Sequence, residues 1–431
     1  MAGTRTVRLA LPSCGWTLAV GILLAAATTG PHAEPAPGDR VFGLTKLHQI
    51  HVSLTPAEWA VLQTSTARGG GSRGTDHTQP DGRRVHIGSG FGGYFPWAHA
   101  DVRVDGMRLE NVGLRYKGNF SFSASSAAAP LHANFKLKTD VYGARGSWDG
   151  VETLNFHAGV LDASRMREAI GFAVFRAAGV LAPRTAYAEL IFTVPGVYQD
   201  TSAGLFTIIE DVNRTLLRRV RPDGAGLLFK PEGLRGGIQS LGNSWSAYVS
   251  ALRPEREATS AEAQRVMEFA QLISQTDVAL FRARIGSFLD VDQFLRFIAV
   301  NALIENTDSY LGGVHNFYLY LDPSDDKFRF IPWDLDLSMG GRMVGSGGVD
   351  VMKPYRGDQP LIYWLLDDPA VAAKYRAVLR ELAASVFTRA ALVSMVDELE
   401  RVGTGRGASP RAYLESRAAY LERLVAGWGG G

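Results

Sequence analysis

Three acids and an amide in the second half of the chain have the types and spacing to hold a cation beside a reacting group. The stretch "ENTDSYLGGVHNFYLY", residues 305 to 320, puts Asp308 on a Gly-containing loop and ends that loop with His315 and Asn316, where an aromatic strand begins. Charged and amide side chains at the mouth of a buried element cost desolvation unless something pairs with them, and a ligand is one such partner. The runs "NFYLYL" and "KFRFIPW" flank "DPSDD", whose Pro and Asp residues favour a turn, so the two read as a hairpin. Pairing about that turn brings Asn316, at the start of the first strand, and Asp334, just past the end of the second, to one edge. Asp308 reaches the same edge from its loop, and Asp336, two positions beyond Asp334 in an extended segment, points the same way as an extra ligand. Two carboxylates and an amide oxygen suit Mg²⁺ or Mn²⁺ rather than zinc. Asp322, Asp325 and Asp326 read as turn residues, and His315 serves equally well as a holder of the loop or a ligand contact.

Loop acid, loop-end asparagine, hairpin and second acid is also the order of parts in kinase catalytic machinery. Such machinery needs further parts upstream. "LRYKGNFSF" offers Gly118 on a turn that could lay backbone amides over phosphates, and "ANFKLK" puts Lys136 and Lys138 on one side of a strand, within reach of phosphate oxygens. Glu168, near the start of a helix in "SRMREAI", could hold a lysine as an ion pair, and Glu210, in the strand "IIEDV", lies where backbone groups could meet an adenine ring. Each also has a plainer reading: a hairpin turn, a solvated lysine face, an acid favoured by the helix dipole.

The elements that must position these residues follow from periodicity. "HQIHVSLTPAEWAVLQ" reads as a strand and then a helix, with Thr55, Pro56 and Glu58 at the N-cap, first-turn and capping-box positions. The stretch from Ala67 to Tyr94 is Gly-rich and polar and reads as a mobile surface insertion or loop. Strand patterns follow in "HADVRVDG", "VGLRYKGNF", "ANFKLKTD", "AELIF" and "GLFTIIED", around one helix with Met166, Ile170, Val174 and Phe175 on a single face and Asp162 as its cap. Beyond Asp211 helical patterns dominate, in "SAEAQRVMEFAQLISQ", "VDQFLRFIAVNALIEN", "PAVAAKYRAVLRELAASVF" and "SPRAYLESRAAYLERLVAGW". The fold class is therefore α+β, a strand-rich lobe over residues 45–211 and a mainly helical lobe over 212–425, with a cleft between them.

With 46% hydrophobic and 20% charged residues in 431, the chain has the composition of a globular protein, and its formal net charge of +2 with scattered Lys and Arg argues against a nucleic-acid partner. Arg5 and Arg8, the apolar run "WTLAVGILLAAATTG" and the small residues that follow form a secretory signal over residues 1–33, with a Pro-rich linker at 34–44. That run is shorter than the roughly 20 residues that span a bilayer, so no stable membrane span is expected in the mature form. The lone cysteine, Cys14, leaves with the signal, which excludes disulfides, cysteine nucleophiles and thiolate metal sites from an extracytoplasmic protein.

"LRYKGNF", "NFKLK", "DASRMRE", "GLFTIIEDV" with "LLFKPEG", and then "NTDSYLGGVHNFYLY" with "FIPWDLDLS", resemble the spore coat protein H (CotH) kinase family over roughly residues 45 to 425. The resemblance implies an atypical protein kinase-like fold that binds ATP with a divalent metal and phosphorylates Ser or Thr of a protein substrate. It implies Asp308 as catalytic base, Asn316 and Asp334 as metal ligands, Lys136 as the phosphate-binding lysine and Glu168 as its partner. Asn316 lies further from Asp308 than in the usual kinase catalytic loop, and the segments 67–94 and 231–275 are where this chain departs from the family. Three functions fit these residues: the kinase, a secreted pseudokinase that keeps the lobes for binding, and a metal-dependent phosphohydrolase using the same acids on water.

Overall fold

The first described strand, β1 (Leu47–Ser53), alternates buried and exposed residues and runs into α1 (Pro56–Gln63). The cap forms as the sequence indicates, with Thr55 Oγ1 accepting from the Glu58 amide at 3.2 Å. The Glu58 carboxylate does not close a capping box; it accepts from the His99 amide at 2.8 Å and ties α1 to a neighbouring strand. In the computed structural model the described residues are 36–431 without 68–74, 88–92, 126–128, 144–145, 232–233, 235–236, 314, 342–348, 406–408 and 429–431; the expected signal lies outside them.

The Gly-rich stretch is not simply a loop. Its described residues build an antiparallel sheet of β2 (Thr75–Thr78), β3 (Arg84–Ile87) and β4 (Tyr94–Pro96). Val85 and Phe95 are buried, and "QPDG" makes the turn between β2 and β3, with Gly82 at φ 82°. The glycine count masks two short runs that pair about an Asp-Gly turn.

β5 (Ala98–Val104) and β6 (Met107–Tyr116) pair as a hairpin, and α2 (Asn119–Ser125) follows at once. Gly118 therefore opens a short helix rather than a phosphate-cradling turn. A Cβ at Gly118 would sit 2.3 Å from Ser121 Oγ, so the close approach of that helix demands glycine. Next come β7 (Phe135–Lys138), β8 (Thr153–His157), α3 (Arg167–Ala177), β9 (Thr185–Val194) and β10 (Tyr198–Glu210). β1, β5, β6, β7, β8, β10 and β9 close into a barrel in that order, with β9 pairing parallel to β1. Tyr116, Phe135, Phe192 and Phe206 fill its interior in ring contact.

The remainder is α4 (Arg214–Leu217), β11 (Leu227–Phe229), α5 (Trp245–Leu252), α6 (Ser260–Ser274), α7 (Val278–Phe288), α8 (Val291–Leu303), β12 (Phe317–Asp322), β13 (Lys327–Pro332), α9 (Pro360–Leu366), α10 (Pro369–Ala384), α11 (Arg389–Arg401) and α12 (Arg411–Ala426). β12 and β13 form the expected hairpin, with Phe317 opposite Pro332, and β11 adds a third strand to it. A second core gathers Phe294 and Phe297 of α8, Phe330 of β13, Tyr310 and Phe317.

α3 belongs to this second core rather than to the barrel interior, because its whole apolar face, Met166 through Phe175, packs there. Asp162 caps it from a distance: its carboxylate accepts from the Ser164 and Arg167 amides at 3.1 and 2.9 Å. At Gly171 a Cβ would lie 2.7 Å from Leu335 Cδ1, so α3 presses directly on the segment carrying Asp334 and Asp336. Among the described residues no helix is long and apolar enough to cross a membrane.

Candidate functional site

Alternation along the barrel strands decides which side chains leave the barrel. With Tyr116, Phe135 and Phe156 inward, Arg115 and Lys117 of the β6 end, Lys136 and Lys138 of β7, and Asn155 and His157 of β8 turn outward. Arg115 stands directly opposite Lys136 in the ladder, a cross-strand pairing of like charges that is destabilising unless anions answer it.

Asp211 answers it for both cations. Lys136 Nζ lies 2.8 Å from Asp211 Oδ1, and Asn155 Nδ2 donates to the same oxygen at 2.9 Å. Burial opposes ionisation of Asp211, yet Lys136 holds its carboxyl well below the usual carboxylate range. Lys117 Nζ lies 2.7 Å from His157 Nε2, and His157 Nδ1 lies 2.7 Å from Glu168 Oε2. The expected partnership of Lys136 with Glu168 is therefore not made: Lys136 pairs with Asp211 across the barrel face, and Glu168 reaches Lys117 through an imidazole. Lys138 sits at the margin against Asp140, at 3.4 Å.

The hairpin faces this surface. Lys117 Nζ lies 5.1 Å from the centre of the Trp333 ring, Lys230 Nζ lies 5.8 Å from that of Tyr318, and the two rings meet edge to face at 5.6 Å. At the hairpin's open end the Trp333 amide donates to Asn316 O at 3.1 Å, which fixes the register that puts Asn316 beside Asp334 in sequence order. Asn316 and Asp334 hold φ of 55° and 56°, left-handed values that Asn and Asp tolerate best among non-glycine residues. Strain of this kind gathers at functional sites.

Asn316 Nδ2 donates to Asp308 O at 2.8 Å and Oδ2 at 3.0 Å, while His315 Nε2 meets Asp308 Oδ1 at 2.6 Å. The bond to Asp308, working against burial, raises His315 to about 9. His315 is thus a holder of the loop acid. The charge of Asp334 acts on Lys117, His157, Glu168, His315 and Asp336 alike, so barrel face, α3, loop and hairpin share one electrostatic neighbourhood. Burial and then Asp334 push Glu168 and Asp336 well above the ordinary carboxylate range. Arg167 Nη1 donates to Asp336 O at 3.2 Å and keeps this segment against α3.

Glu210 has other work. Its carboxylate is buried between Arg184 and Arg219, at 2.7 and 2.8 Å, and its amide donates to Arg184 O at 2.9 Å, so the edge expected to meet a base is occupied. Lys117, His157, Asp211 and Lys230 stand at the site, though none is a residue to which the sequence motifs assign chemistry. Lys117 and His157 carried one signal, a strand-end position in phase with Arg115 and Asn155.

A row of cations on a sheet, facing a loop acid and a hairpin-edge acid, is the layout of a kinase-like protein. The chain belongs to the CotH kinase protein family, whose model matches residues 114–403 and so takes in every site residue from Lys117 to Asp336 but not the β2–β4 sheet. It is 24% identical over 293 residues to inner spore coat protein H of Bacillus subtilis (strain 168), covering 67% of this chain and 75% of that one. Among solved structures, HipA in the Shewanella oneidensis MR-1 HipA, HipB and operator DNA complex aligns with TM-score 0.31 and 11% identity, over 68% of this chain and 66% of that one. The Helicobacter pylori proinflammatory kinase CtkA aligns with TM-score 0.20 and 8% identity, over 72% and 92%. Likenesses at those scores say nothing of the site.

Proposed function

We propose that this chain is a bilobal, atypical protein kinase, exported from the cytoplasm, that uses ATP and Mg²⁺ or Mn²⁺ to phosphorylate Ser or Thr hydroxyls of a protein substrate. The observation that carries this reading is the reach of Asp334, whose charge acts on the phosphate-facing lysine side, the α3 glutamate and the loop of the candidate base at once.

The donor set fits a hard divalent cation. Asp334 lies within 4.8 Å of Glu168 and raises both Glu168 and Asp336, a repulsion that a cation would relieve, and Glu168 Oε1 is buried without a hydrogen-bond partner. Asn316 spends its amide N–H on Asp308, which leaves its side-chain oxygen for a ligand role. A bound Mg²⁺ or Mn²⁺ would neutralise charge on the transferring phosphoryl group. The chain's own residues do the rest. Lys117 and Lys136 present ammonium groups to phosphate oxygens. Asp308 orients the incoming hydroxyl and accepts its proton, held in aim by His315 and Asn316.

A second reading has one observation in its favour. Both Asp308 oxygens are already engaged, one by His315 and one by Asn316, as they would be in a pseudokinase that keeps the cleft for binding. Incubating the mature protein with γ-labelled ATP, Mg²⁺ or Mn²⁺ and a serine-rich acceptor separates the two. Labelled acceptor, lost in Asp334→Ala, supports the kinase; no nucleotide binding at all rejects it, and free phosphate without labelled protein points to hydrolysis instead.

A further inference from the structure

We infer that His157 is a positioning residue that joins Lys117 to Glu168, so that a neutral imidazole replaces the direct lysine–glutamate ion pair of ordinary kinases. The inference rests on the kinase reading for its functional consequence and on the hydrogen bonds alone for its geometry.

With Lys117 as an ammonium and Glu168 as a carboxylate, donor and acceptor rules leave one arrangement. A lysine ammonium has no lone pair, so at 2.7 Å from His157 Nε2 it must donate, and Nε2 must be bare. A carboxylate only accepts, so at 2.7 Å from Glu168 Oε2 the proton must sit on Nδ1. The ring is thus the neutral Nδ1–H tautomer. An imidazolium would leave Lys117 facing an N–H, and the other tautomer would set two donors head to head at one end and two acceptors at the other.

The surroundings enforce this chain. His157 and Glu168 side chains are 7% and 6% exposed, so water does not compete for either bond. Three elements meet here: the end of β6 brings Lys117, the end of β8 brings His157 and the first turn of α3 brings Glu168. The barrel register explains why they meet. Tyr116, Phe135 and Phe156 lie in one row across β6, β7 and β8, and the next row along, beyond the paired residues, is Lys117, Asn134 and His157. Asn134 binds both neighbours: its O accepts from the Lys117 amide at 2.9 Å, and its Oδ1 accepts from the Ala158 amide at 2.8 Å.

His157, Glu168 and Asp334 also offer ligand atoms within 4.8 Å of one another, which invites a metal triad. Both ring nitrogens are already committed, one to a cation and one to the carboxylate, so the group reads as a relay beside the metal acids and not as a ligand set. Lys117 spends one of its three N–H donors on the ring and keeps two for phosphate oxygens. Its position is then governed by α3 through His157, while Lys136 is anchored separately by Asp211.

The test uses full mature chains. His157→Leu removes both bonds, whereas His157→Gln keeps one acceptor for Lys117 and one donor for Glu168. Binding of Mg²⁺–ATP should weaken about tenfold or more in the Leu variant, and the Gln variant should recover most of it. Equal affinity in wild type and Leu variant overturns the inference, as does a Gln variant no better than Leu while both remain folded. An independent reading comes from long-range ¹H–¹⁵N spectra, with the His157 signals assigned by their loss in His157→Gln. A protonated Nδ1 and bare Nε2 are expected in the free protein; an Nε2–H tautomer or an imidazolium overturns the relay. Should the wild type bind no nucleotide, the kinase reading falls and the tautomer still decides the relay.

Discussion

At the scale of single residues, the loop acid and its two holders carry the sharpest expectation. Asp308 accepts from Asn316 and meets His315, and its carboxylate is half-buried at the mouth of the second core. If it takes the proton from an attacking hydroxyl, Asp308→Asn keeps the shape and one acceptor for its two neighbours but loses the base. Turnover with ATP and a serine-rich acceptor should then fall about 10²- to 10⁴-fold with nucleotide affinity nearly unchanged. A variant that turns over at the wild-type rate would leave Asp308 a purely structural member of the loop. Asp308, Asn316 and Asp334 could be read from sequence because the parts that join them are local: one loop, one turn and two short strands. The lysine partnerships could not. Whether Glu168 meets Lys136 or Lys117 depends on the ladder through β6, β7 and β8 and on the slot that His157 fills. Two lysines on β7 looked the better candidates because they alternate on one strand, whereas Lys117 was hidden by its place next to Gly118 and His157 by its place at a strand end.

At the scale of elements, the β2–β4 sheet shows how composition misleads. Thr75–Thr78 and Arg84–Ile87 pair about an Asp-Gly turn, yet they sit between Gly-rich flanks whose composition reads as loop throughout. The sheet packs against the barrel face through charge. Asp76 Oδ1 accepts from His86 Nδ1 at 2.9 Å, and the Arg115 guanidinium, 4.9 Å from the Trp97 ring centre, acts on both. Burial and then Arg115 lower His86 to about 3. Asp76, despite burial, is held well below the usual carboxylate range by His86 and Arg115. The sign follows from linkage. A histidine whose folded pKa is depressed is neutral in the sheet but takes up a proton in the opened chain near 6.5, so stability is full above that pH and falls as pH drops toward about 3. Asp76 adds a loss in the same direction at more acid pH, because its opened form takes up a proton first. Amide exchange should therefore speed up at β3 relative to β8, beyond the intrinsic pH effect, between pH 6.5 and 4. Protection at β3 that tracks β8 throughout would show that this pair does not hold the sheet down.

At the scale of the whole molecule, the site lies where the two cores meet, and no disulfide joins them. Cys14 is the single cysteine of the chain, so what holds the barrel to the helical part is packing and a few polar ties. Those ties run through the site itself: Lys117 over Trp333, and His157 of β8 on Glu168 of α3. A ligand held as proposed, by lysines from the barrel face and by acids from the hairpin, would bridge both cores and bind only when both are folded. Mass action then sets the gain: about 2.7 kcal/mol at one hundred times Kd. On the proposed reading, thermal unfolding of the protein should shift upward with Mg²⁺ and ATP together and much less with either alone, since the acids come from the hairpin and the lysines from the barrel face. Asp334→Ala should abolish the joint shift and lower the ligand-free Tm only modestly, by the cost of placing Ala at φ 56°, because Asp334 is half-buried and no core side chain is removed. A joint shift that survives in Asp334→Ala would place the nucleotide elsewhere. A ligand-free Tm that instead rises in that variant would fit an acid kept against stability, since Asp334 raises the cost of ionising both Glu168 and Asp336.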